Sequence, residues 1–89
     1  MLKVSVTKKF EKEVETARKR VKDMSKLGDV IKKLSKEEPL DQKHRNHKLK
    51  GNYKGRWECH VEPDWLLVYY KTETEIIFER TGAHSDLFK

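Results

Sequence analysis

Six consecutive apolar residues, Trp65-Leu66-Leu67-Val68-Tyr69-Tyr70, stand between two polar turns, Glu62-Pro63-Asp64 and Thr72-Glu73-Thr74. The run is far short of the ~20 residues that a membrane-spanning helix needs. A short continuous apolar run bounded by turn residues is the pattern of a central strand buried on both faces. The flanking segments alternate instead. Arg56 to Val61 puts Trp57, Cys59 and Val61 on one face and Arg56, Glu58 and His60 on the other. From Glu75 to Thr81, strict alternation groups Ile76, Phe78 and Arg80 against Ile77, Glu79 and Thr81. With short turns between them, the three strands are expected to form an antiparallel meander.

The N-terminal half changes period. Leu2 to Thr7 alternates as a half-buried strand does. Phe10, Val14, Ala17 and Val21 then recur at helical spacing, with Thr7 placed to cap the helix. Acidic residues fall early in that helix and basic ones late, the order that the helix dipole favours. Asp23-Met24-Ser25 interrupts the stripe, with Asp23 or Ser25 able to cap a new helix, and Leu27, Val30, Ile31 and Leu34 resume it until Pro39 forbids continuation beyond residue 38. Residues 39–55 are polar and basic and read as a surface loop, and Ala83 to Phe88 reads as a short tail. The expectation is a single α+β domain spanning 1–89. It has an N-terminal strand, a two-helix hairpin packed on an antiparallel sheet, and a three-strand C-terminal meander. The helices cover one sheet face. The other is left to carry Arg56, Glu58 and His60, with Arg80 a further candidate.

Charge narrows the partners. The 89 residues carry a formal net charge of +6, distributed as +8 over residues 1–50 and −2 over 51–89. Such asymmetry suits a polyanion, nucleic acid being the commonest. A lysine-rich solvated helix surface would look the same. The single cysteine, Cys59, excludes an intrachain disulfide and a zinc site built on thiolate pairs. No two histidines sit at helical i, i+4 spacing, so no metal and no cofactor is expected. The N-terminus lacks the apolar stretch of a signal peptide, and a cytoplasmic location without membrane contact is expected.

Imidazoles exchange protons near neutral pH, and the chain has four: His44, His47, His60 and His84. His44 reads as an ordinary surface residue. The other three lie in a basic loop, on the open-face strand and just past the last strand. Phe88, one residue from the C-terminus, either pins the tail or stacks on a ligand such as a base. Basic groups to hold phosphate, together with imidazoles and a carboxylate to move protons, suit RNA cleavage by the neighbouring 2′-hydroxyl.

Three segments carry a resemblance to a known family. They are His47-Lys48-Leu49-Lys50-Gly51, then Glu58-Cys59-His60-Val61-Glu62-Pro63-Asp64-Trp65-Leu66-Leu67-Val68-Tyr69, and then Phe78-Glu79-Arg80-Thr81-Gly82-Ala83-His84-Ser85-Asp86-Leu87-Phe88. Together they resemble the YafQ branch of the RelE/ParE superfamily, toxins of bacterial type II toxin–antitoxin systems. The resemblance covers essentially the whole chain and implies a RelE-like fold. It also implies a ribosome-dependent, metal-independent mRNA endonuclease acting in the ribosomal A site. By the same resemblance His47, His60, Asp64, His84 and Phe88 match the catalytic set. Arg80 matches an arginine near the scissile phosphate, and Trp65 a tryptophan beside the acid. Lys48, Lys50, Lys54 and Arg56 are the expected backbone-binding cations. Relatives often have proline where this chain has Lys48. His60 or Asp64 is expected to take the 2′-proton and His84 to act as the acid. The implied partners are the 70S ribosome with its mRNA and a cognate antitoxin whose acidic tail covers loop 43–56. Operator DNA is expected only through the antitoxin complex. The competing readings are a ParE-like gyrase inhibitor, which does not depend on this histidine and aspartate set, and a non-catalytic ribosome- or RNA-binding module.

Overall fold

The structure, a computed structural model, describes residues 1–50 and 55–87. Strand β1 (Lys3–Val6) leads into helix α1 (Lys8–Lys19), then helix α2 (Met24–Ser35). A single 3-10 turn at Gln42–His44 precedes β2 (His47–Lys48), and the meander follows as β3 (Arg56–Glu62), β4 (Trp65–Lys71) and β5 (Glu75–Gly82). A one-turn helix, α3 (His84–Leu87), ends the described chain. The expected caps form. The Thr7 hydroxyl accepts from the Phe10 amide at the start of α1, and the Asp23 carboxylate accepts from the Ser25 amide at the start of α2.

The five strands make one sheet in the order β1-β5-β4-β3-β2. The meander is antiparallel as expected, but β1 runs parallel to β5, so the sheet is mixed. The reason is the connection: β1 is followed by the helical hairpin and a long return, the kind of crossover that parallel neighbours require. The polar stretch expected to be wholly loop contains β2, which pairs His47 with Glu58 and Lys48 with Trp57. The expected tail contains α3.

β4 is the central strand and is buried on both faces. Trp65, Leu67 and Tyr69 join Phe10, Ala17, Leu27, Val30, Leu34, Cys59, Ile76 and Phe78 in the main core beneath the helices. Leu66 and Val68 face the other way, where Leu87 and Leu49 cover them in a second small cluster. The face expected to be free is therefore partly roofed by α3 and the segment after β2. A bulge in β5 changes another expectation. Tyr69 pairs with Phe78 but Val68 with Arg80, so Glu79 is the extra residue and the alternation reverses there. Thr81 turns in against Trp65, whose indole N–H donates to its hydroxyl at 3.0 Å, and Arg80 falls on the open face. Among the described residues no helix is long and apolar enough to cross a membrane.

Candidate active site

Register builds the site. Pairing aligns His47, Glu58, Val68 and Arg80 in one row across β2, β3, β4 and β5. The next row holds His60, Leu66 and Gly82. Residues in one row share a face, and neighbouring strands lie about 4.8 Å apart. Loop-derived His47 is thereby brought beside strand-borne Glu58 and His60, although it is eleven and thirteen positions away in sequence.

Glu58 is the centre of this group. Its residue is only 6 % exposed, and Oε1 lies 3.7 Å from Nε2 of His47 and 3.5 Å from Nε2 of His60. Both rings are held from behind. Nδ1 of His47 is 2.6 Å from the Arg45 carbonyl, and Nδ1 of His60 is 3.2 Å from the Pro63 carbonyl. A carbonyl oxygen only accepts, so each Nδ1 carries the hydrogen and Nε2 is the atom that gains or loses a proton. Arg45 adopts left-handed backbone (φ 44°), which turns its carbonyl toward His47. His44, expected to be an ordinary surface residue, is half-buried and has Nδ1 2.7 Å from the carbonyl of His60. It therefore fixes the backbone next to the register shift in β3 between His60 and Glu62.

Asp64 and His84 meet at the same end of the sheet. Oδ1 of Asp64, in the β3–β4 turn, accepts from the backbone N–H of His84 at 3.1 Å. The contact anchors the start of α3. Leu87, on the same short helix, packs on Leu66 and Val68. The strand rows thus put His47, Glu58, His60 and Arg80 on the open face, and at its end the His84 backbone meets the Asp64 carboxylate.

The cations are more occupied than charge counting suggests. Arg80 makes a side-on pair with Glu13 of α1, Nε to Oε1 at 2.9 Å and Nη2 to Oε2 at 2.8 Å. Arg56 pairs with Glu79 at 2.9 Å, which holds its guanidinium above the usual arginine range, and it lies over the Tyr70 ring. The Lys48 ammonium lies over Trp57, and Lys50 is exposed. Trp65 is 1 % exposed and bonded to Thr81. Its ring lies in the main core, because it projects from the helix-covered face of β4. Lys54 and Phe88 lie outside the described residues. The structure adds two groups to those that the sequence points to, Glu58 and His44. A signal existed for Glu58, an acid two positions from His60 on the same strand face. None existed for His44, whose partner is a backbone carbonyl sixteen residues away.

Residues 2–89 match the family described as bacterial toxin of type II toxin–antitoxin system, YafQ. The chain is 44% identical over 80 residues to the mRNA interferase toxin YafQ of Escherichia coli K12, covering 89% of this chain and 87% of that one. Its fold is similar to the crystal structure of YafQ from E. coli BL21(DE3), with a TM-score of 0.95 and 38% identity over the whole of both chains. It is also similar to the toxin in the E. coli DinJ–YafQ toxin–antitoxin complex, with a TM-score of 0.93 and 39% identity, covering 99% of this chain and 98% of that one.

Proposed function

The chain belongs to the YafQ family of toxins of bacterial type II toxin–antitoxin systems, and from that premise we propose that it is an endoribonuclease that cuts mRNA on the ribosome and is restrained by a cognate antitoxin. The observation that carries the reading is the convergence of proton-exchanging groups on one end of the open face: Nε2 of His47 and His60 about the buried Glu58, with Asp64 bonded to His84.

The chemistry follows from these positions. His60 Nε2, its hydrogen-bearing Nδ1 turned to the Pro63 carbonyl, takes the proton of a ribose 2′-hydroxyl. The 2′-oxygen attacks the adjacent phosphorus, and the bond from phosphorus to the 5′-oxygen breaks. The departing oxygen takes a proton from His84, leaving a 2′,3′-cyclic phosphate and a 5′-hydroxyl. Arg80 meets the negative charge that builds on the non-bridging oxygens. Asp64 is a positioning residue in this scheme, because its carboxylate is engaged by the amide of the residue it must aim. His47 supports the phosphate or shares in the transfer through Glu58. Phe88 and the basic residues Lys48, Lys50 and Lys54 are assigned to holding the RNA.

The test is mapping of mRNA 5′ ends by primer extension in a purified bacterial translation reaction, with folded wild-type protein and His84→Ala. New ends within the translated frame are expected for wild type, reduced at least a hundredfold in the variant. They should disappear when ribosomes are omitted or the antitoxin is added. An intact message with active, folded wild-type protein would overturn the nuclease reading.

A further inference from the structure

Helix α1 contributes one side chain to the site's arginine. β1 covers the outer edge of β5 only from Glu75 to Phe78, where the register ends. Among the described residues no strand pairs with that edge beyond this point; the Thr7 hydroxyl donates to the Glu79 carbonyl, and α1 runs past the residues that follow. Glu13 occupies the gap. Its carboxylate accepts three hydrogen bonds from two successive residues of β5: Nε and Nη2 of Arg80 at 2.9 and 2.8 Å, and the backbone N–H of Thr81 at 3.2 Å. Both charged side chains are largely buried, 21% and 19% exposed, so the pair is screened less than a surface pair. The glutamate therefore supplies the acceptor that a longer β1 would have supplied, and it also fixes the guanidinium.

We propose that Glu13 is a positioning residue for RNA cleavage: it sets the plane of the Arg80 guanidinium and so the direction in which Arg80 meets the scissile phosphate. The proposal rests on the role given to Arg80 above. A carboxylate held side-on across Nε and Nη2 fixes the plane of the guanidinium, and a planar guanidinium meets a phosphate in a direction set by that plane. Arginine is otherwise a long side chain with several rotamers, so a pre-set plane spares the ordering cost when the reaction's charge appears. The bulge at Glu79 belongs to the same device, since it brings Arg80 and the Thr81 amide to the carboxylate together.

The experiment is single-turnover mRNA cleavage on programmed ribosomes by the full chain, comparing wild type, Glu13→Gln, Glu13→Asp, Arg80→Lys, Arg80→Ala and the Glu13→Gln/Arg80→Lys double variant. Melting temperatures are read in parallel. Glu13→Gln is expected to lower the cleavage rate at saturating ribosomes about tenfold or more with little change in the half-saturating concentration. Glu13→Asp should recover part of that loss, and Glu13→Gln should add less than twofold in the Arg80→Lys background. Equal losses in both backgrounds would mean that Glu13 acts only on stability, and the proposal would be wrong. It would also be wrong if Glu13→Gln cut as fast as wild type while Arg80→Ala was inactive; the proposed function would then stand without it. Full activity of Arg80→Ala would remove the premise about Arg80 and this inference with it. Should Glu13→Gln fail to fold, Glu13→Asp decides: an unchanged rate despite a measurably shifted carboxylate contradicts positioning, and a reduced rate with an unaltered half-saturating concentration supports it.

Discussion

Glu58 shows why one buried carboxylate changes what its neighbours can do. A polar group that is nearly out of water needs neighbours of its own kind, and here Nε2 of two imidazoles, one earlier and one later in sequence, faces the same oxygen. Cys59, the next residue, points into the main core on the other face and is fully buried. Burial, and secondarily the nearby Glu58, pushes its thiol up to about 12. Burial also raises the Tyr69 hydroxyl, whose proton is donated to Oδ1 of Asn46. The sign for stability follows. The folded thiol holds its proton more tightly than the unfolded one, which ionises near 8.5, so its contribution is complete below that pH. The contribution is lost as pH rises through the window toward 12. Urea unfolding at pH 8 and at pH 10 should show a fall for the wild-type protein that is smaller in Cys59→Val. An equal fall in both proteins would show that the thiol takes no part.

At the scale of elements, both helices end by the same device and with the same unusual residue choice. Lys22 N–H returns to the Ala17 carbonyl at the end of α1, and Glu38 N–H to the Lys33 carbonyl at the end of α2. Both are helix stops that place one residue in left-handed backbone. Those residues are Val21 and Glu37, each at φ 58°, where glycine is usual. A β-branched side chain at that angle costs roughly 1–2 kcal/mol, and Val21 is 89% exposed, so no packing repays it. Val21→Gly should therefore stabilise the protein by about 0.5–1 kcal/mol, the strain relieved less the extra chain entropy of glycine. Thermal unfolding would then rise by roughly 2–8 °C for a chain of this size. A lowered midpoint would show that the valine has a packing partner worth more than its strain.

At the scale of the whole molecule, two cores of unequal size divide the work. The large one under α1 and α2 holds the sheet. The small one, Leu66 and Val68 under Leu87 and Leu49, holds the segments that carry His84 and His47 against the open face. The tail is held by Leu87 in this small core, by the bond from the His84 amide to Asp64 and by an exposed pair between Arg20 and Asp86, and a one-turn helix with so small a core of its own belongs to the low-stability end of the molecule. Leu87→Ala should raise hydrogen exchange at the His84 amide at least tenfold while the Leu67 amide, in central β4, stays nearly as protected as in wild type. If both amides lose protection equally, the small core is not a separate unit. Much of this architecture was legible in the chain. The period of each segment, the caps at Thr7 and Asp23 and the two-sided burial of β4 are local properties, because side-chain direction repeats with the backbone geometry of a few residues. The spacing of His47, His60, Asp64 and His84 was legible as a family pattern for the same reason, a pattern being a list of residues in order. The parallel seat of β1, the bulge at Glu79 that turns Arg80 to the open face, the pairing of β2 that delivers His47 to Glu58, and the reach of Glu13 across the end of β1 were decided only by the tertiary structure. Each depends on strand register, and register is set by which distant segments pair and pack, a choice that no local run of residues contains.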